Sequence, residues 1–140
     1  MAILGLDCGE KRIGVALADG EGGVAVPVTV INRSKPETDL GRIVALVHDY
    51  GVERIVVGMP LSLDGSVGKQ AHEVLAFVEA LRRHTSVPVA TWDERFSSTG
   101  ADSLMEDAGV KKGKRKGRRD AAAAAVILQG YLDRKGDMGK

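Results

Sequence analysis

Three short apolar runs crowd the first 31 residues: AILGLD (2–7), IGVALAD (13–19) and VAVPVTVI (24–31), separated by CGEKR and by GEGG. Runs of this length, rich in Val and Ile and punctuated by Gly, are strand signals. The connections are too short for a helical crossover, so successive strands must be antiparallel neighbours. The chain therefore opens as a three-strand meander. Pro27 cannot donate to a sheet ladder, which predicts an edge position for the third strand.

Helical periodicity begins only after this meander. Leu40, Ile43, Val44, Val47 and Tyr50 recur at helical intervals up to Gly51, a C-terminal stop, and Ser34 and Glu37 have capping-box spacing. RIVVG (54–58) predicts a buried strand. Residues 67–84 predict an amphipathic helix with Ala71, Leu75, Val78 and Leu81 on one stripe, and VPVATW (87–92) predicts a further strand. A helix over 97–108 ends at Gly109, and a last helix spans 120–134, where five alanines give high helix propensity and a thin face for close packing. Strands alternating with helices run parallel. The predicted fold class is α/β, a mixed five-stranded sheet (antiparallel three-strand meander plus two parallel strands) covered by helices.

The 140 residues suit one domain over 1–136 with a frayed tail at 137–140, enough chain to bury about 70% of its unfolded surface around one core. Hydrophobic residues at 44% and charged residues at 28% exclude a disordered chain. Cys8 is the only cysteine, which rules out an internal disulfide and fits a reducing cytoplasm. The first residues lack the basic start of a signal peptide, and no apolar run approaches a membrane span, so no membrane partner is expected.

The element order decides where the acids fall. Asp7 ends the first strand and Glu94 follows the last, and if those strands are parallel both carboxylates emerge at one rim. Asp120 begins the last helix and could join them, although an Asp there is also a good N-cap. Carboxylates a few ångströms apart repel by up to about 4 kcal/mol per pair, and a divalent cation reverses the sign. Oxygen ligands with open positions suit Mg²⁺ or Mn²⁺, and a pair of such ions can drive phosphodiester cleavage. The expectation is a metal-binding and catalytic triad of Asp7, Glu94 and Asp120 holding two ions. His48, His72 and His84 lack metal-ligand spacing and read as helix-surface residues.

Charge is unevenly spread. Net charge is only +1, yet seven of the 20 Lys and Arg fall within 111–119. Such a patch predicts a polyanionic partner. Gly113 and Gly117 punctuate the run, which predicts a mobile loop between helices in which Lys114, Arg115, Lys116, Arg118 and Arg119 capture phosphates. A localisation signal also fits its composition.

GLDCGEKRIGVALAD (5–19), VGMPLSLDG (57–65), WDERFSS (92–98) and KGRRDAAAAAVIL (116–128) together resemble the successive motifs of the YqgF family, the ribonuclease H-like group described as pre-16S rRNA nucleases or Holliday junction resolvases. The resemblance spans nearly the whole chain. It implies the ribonuclease H-like fold, a metal-dependent nuclease, and Asp7, Glu94 and Asp120 as its acidic triad. It adds Lys11, Arg12 and Arg95 as phosphate contacts. The implied partner is nucleic acid, either RNA (pre-rRNA, in ribosome biogenesis) or structured DNA, and the protein would be a monomer or a homodimer. Cys8 stands where an aromatic is common and Ser62 where Asn is common.

Two rival readings are open. LGLDCG also resembles the first phosphate motif of the actin and sugar-kinase superfamily, but Glu10 stands where Thr or Ser is usual and the chain is too short for two such domains. The other rival is a nucleic-acid-binding protein without catalysis. Asp64 reads as a turn residue, Trp92 as a strand-end core residue rather than a base-stacking platform, and Cys8 as a small buried hydrophobe.

Overall fold

A computed structural model describes residues 2–20, 23–61, 65–94 and 112–138; in its last helix, side chains are described for 121–134. The elements follow in the order β1 (Ala2–Cys8), β2 (Arg12–Ala18), β3 (Val26–Asn32), α1 (Pro36–Tyr50), β4 (Val52–Met59), α2 (Lys69–His84), β5 (Val89–Asp93) and α3 (Lys112–Met138). The sheet order is β3-β2-β1-β4-β5. β1, β2 and β3 pair antiparallel, and β4 joins β1 and β5 in parallel. β3 lies at the edge with Pro27, as the missing donor requires. The predicted helix over 97–108 lies outside the described residues.

Helices cover both faces, so the core is divided in two rather than single. Leu4, Leu6, Cys8, Val57 and Met59 pack beneath α1 and α2. Ile3, Ala16, Ala18 and Val56 pack beneath α3, against Ala124, Ala125, Ile127, Leu128 and Leu132. Small residues set the second contact: a methyl at Gly5 would lie 2.8 Å from Leu128 Cβ and 3.1 Å from the Ala124 carbonyl oxygen. Glycine on the strand and alanine on the helix thus let the backbones approach closely. Each Leu or Ile buried there contributes about 1.5–3 kcal/mol.

Two local expectations are corrected. The capping box does not form: Lys35 is the N-cap of α1 without a side-chain bond, and the Ser34 amide instead donates to Oδ1 of buried Asp39 at 3.0 Å. The second oxygen of Asp39 faces the Arg33 Nε at 3.7 Å. Leu75 is on the solvent side of α2, whose buried stripe is Ala71, Val74, Phe77, Val78 and Leu81.

The largest correction concerns the basic run, which from Lys112 onward is helical rather than a loop: α3 runs from Lys112 to Met138, into the expected tail. Lys and Arg rank near Ala in helix propensity, and two glycines cost only about 1 kcal/mol each. Once 121–132 is anchored on the sheet, each preceding residue adds a hydrogen bond without a new nucleus. Asp120 consequently sits inside the helix, and the N-cap reading falls. Gly51 does end α1, with φ 61° in the left-handed region, donating to the His48 carbonyl.

Candidate active site

Strand alternation sends Asp7 to the α3 face of the sheet, because its neighbours Leu6 and Cys8 belong to the opposite core. Leu6 is paired with Val57, and Met59 with Asp93, so the C-terminal ends of β1, β4 and β5 form one rim. Glu94 follows β5 directly there. Both carboxyls are half-buried, and they are hydrogen-bonded to each other across the intervening β4. A bond between two carboxyls needs a proton on one of them. Burial, then the charge of Asp7, the bond to Asp7 and the charge of Asp93, together push Glu94 up to about 8.

The third acid of the expected triad, Asp120, has its side chain outside the described residues; its backbone stands one helical turn before Ala124. Among the described residues no three His, Cys, Asp or Glu side chains form a metal-holding group. Lys11 in the β1–β2 turn and Arg12 at the start of β2 lie at the same rim, Lys11 exposed and Arg12 half-buried. The Gly9 amide donates to the Arg12 carbonyl at 2.8 Å, closing that turn. Lys114, Arg115, Lys116, Arg118 and Arg119 belong to the first turns of α3 by backbone, their side chains outside the described set. Arg95, Ser62 and Asp64 lie outside it altogether.

Arg33 is a residue that sequence reasoning missed. Its Nη1 donates to the Gly9 carbonyl at 2.8 Å, its amide donates to the Lys11 carbonyl at 2.8 Å, and its guanidinium stacks 5.6 Å from the Phe77 ring centroid. It therefore fixes the turn that ends β1 and presents Lys11. An isolated Arg after a strand carries no spacing signature. Trp92 packs as expected of a core-facing residue: edge-on to Tyr131 at 6.3 Å, with Gly130 close beneath its indole. The Tyr131 hydroxyl accepts from Arg54 Nη1 at 2.9 Å. All three histidines are exposed.

Paired acids at the C-terminal rim of a β3-β2-β1-β4-β5 sheet define a ribonuclease H-like protein. Thermus thermophilus RuvC in complex with a Holliday junction substrate superposes with TM-score 0.59 over 96% of both chains at 18% identity. The Fowlpox virus resolvase does so with TM-score 0.59 over 96% of this chain and 98% of its own at 11% identity. These similarities are of fold. The family model described as RuvX, Holliday junction resolvase, matches residues 1–134, and the chain belongs to this family, the YqgF group of nucleases. A protein of Desulforamulus reducens named "Putative pre-16S rRNA nuclease" is 49% identical over 133 residues, covering 95% of this chain and 97% of its own. One of the same name from Halothermothrix orenii is 46% identical, with 95% of each covered.

Proposed function

We propose that this nuclease hydrolyses RNA phosphodiester bonds in maturation of the 5′ end of 16S rRNA, with Mg²⁺ or Mn²⁺ held by Asp7, Glu94 and Asp120. The observation that carries the reading is the hydrogen-bonded carboxyl pair Asp7–Glu94. Two half-buried acids in contact destabilise each other's charged forms, which a purely structural rim has no reason to retain. A divalent cation between them reverses that penalty, so the residues present fit the ion. When bound, the metal lowers the pKa of water and neutralises charge on the scissile phosphate.

The chain's own groups do the rest. Asp7 and Glu94 release their shared proton and become paired anionic ligands. Asp120, in the turn of α3 before the Ala124 contact with Gly5, is the third. Lys11 and Arg12, with Arg95, hold phosphates along the rim. The basic first turns of α3 grip the nucleic-acid backbone through charge and so position it without reading sequence.

RNA is favoured because relatives of 44–49% identity over nearly this whole chain carry the rRNA nuclease name. The family model's own description favours a four-way DNA junction as the second reading. A cleavage panel separates them: a 16S rRNA precursor, single-stranded RNA, single-stranded DNA and a four-way junction, each with Mg²⁺, Mn²⁺ or chelator. Metal-dependent cutting of the precursor supports the proposal. Cutting of the junction alone, as symmetric paired incisions requiring a dimer, replaces it with the second reading.

A further inference from the structure

We propose that Gly58 is a positioning residue for this nuclease site: its missing side chain is the gap through which Asp7 and Glu94 meet across β4. This rests on the metal reading above. Neighbouring strands lie about 4.8 Å apart, so carboxyls from β1 and from the end of β5 must close a span of about 10 Å over the strand between them. Gly58 stands in that strand, on the α3 face and next to the Leu6–Val57 pair. The Glu94 stem lies directly over it: a methyl at Gly58 would sit 2.9 Å from Glu94 Cγ and 3.1 Å from Cδ. Real Cβ contacts essentially never fall below 3.0 Å, so the Glu94 stem would have to shift, and a methyl would lift its carboxyl away from Asp7. A glycine inside a strand run marks such a close approach.

The same methyl would lie 2.5 Å from Ile127 Cδ1, so Gly58 could instead serve only the packing of α3. Ile127→Val deletes that carbon and separates the two roles. The comparison is between Ile127→Val and Gly58→Ala/Ile127→Val, read by thermal melting, by Mn²⁺ titration calorimetry and by cleavage kinetics. The expected result is similar melting of the metal-free proteins, at least tenfold weaker Mn²⁺ binding, and at least tenfold lower kcat with KM unchanged in the double variant. Adding the same methyl to Glu94→Gln/Ile127→Val should weaken Mn²⁺ no further, because its effect passes through Glu94. Mn²⁺ affinity and kcat within twofold of Ile127→Val, or a further tenfold loss in the Gln background, would overturn the role of Gly58 alone. Wild-type Mn²⁺ affinity in Glu94→Gln itself would overturn the metal reading and this inference with it.

Discussion

Asp7 and Glu94 share a hydrogen bond although the strands that carry them are not neighbours in the sheet. The bond has a pH signature. Glu94 is raised from 4.5 to about 8, so its folded pKa lies above its unfolded one. The protonated form is the one the metal-free fold prefers, and the stability it contributes is fully present below pH 4.5 and lost as pH rises to about 8. Melting temperatures in chelator should decline across that window and level above it. In saturating Mn²⁺ that decline should vanish, because binding displaces the proton: apparent affinity should rise about tenfold per pH unit up to about 8 and offset it. Glu94→Gln should flatten both profiles.

Cys8 is the counter-case on the opposite face of the same strand. It is 5% exposed, and its thiol is pushed up to about 12 by burial first and then by Asp7, against the lowering effect of Arg33. At pH 8 only about one thiol in ten thousand is ionised. A thiol-reactive chromophore should therefore label denatured protein promptly and native protein only at its unfolding rate. Prompt native labelling would show that the β1 end opens.

The meander, both parallel strands and the Asp7–Glu94 rim are legible in the sequence because strand period, turn length and Pro27 act locally. The start of α3 is not. Gly113 and Gly117 signal a break, yet the anchor that extends the helix is tertiary: alanines 121, 122, 124 and 125, buried around the Gly5 contact. Leu75 fails for a similar reason, since a stripe shifted by one residue to Val74 is equally periodic. Gly58 did leave a signal in RIVVG, but what stands over a strand glycine is decided by a residue from a distant part of the chain.

Helicity of the basic run changes how it is best tested. Lys114, Arg115, Lys116, Arg118 and Arg119 are replaced together by Gln, which keeps helix propensity while deleting charge. Nucleic-acid affinity should fall and its salt dependence flatten. If all seven charges of 111–119 reached phosphates, the slope of log affinity on log salt would be about −5 on a single strand. An unchanged slope in the variant would show the run to be a bystander.

Asp120→Asn is a cleaner probe than it would be at a cap. Inside α3, Asp and Asn have similar helix propensity, so the folded state should lose little, about a few tenths of a kcal/mol. Cleavage should nevertheless fall at least a hundredfold, and the stabilisation that Mn²⁺ gives in a thermal melt should shrink. An active variant that Mn²⁺ protects as well as wild type removes Asp120 from the site.

Glu94→Gln assayed on a 16S rRNA precursor tests whether the Asp7–Glu94 pair makes this chain a metal-dependent nuclease. The substitution keeps the side chain's shape over Gly58 and a hydrogen bond to Asp7, and removes one anionic ligand. Wild type should cut only with Mg²⁺ or Mn²⁺, and the variant should bind the precursor with little change while cutting at least a thousandfold more slowly. Cutting by wild type in excess chelator, or wild-type rates from Glu94→Gln, would contradict that role for the pair.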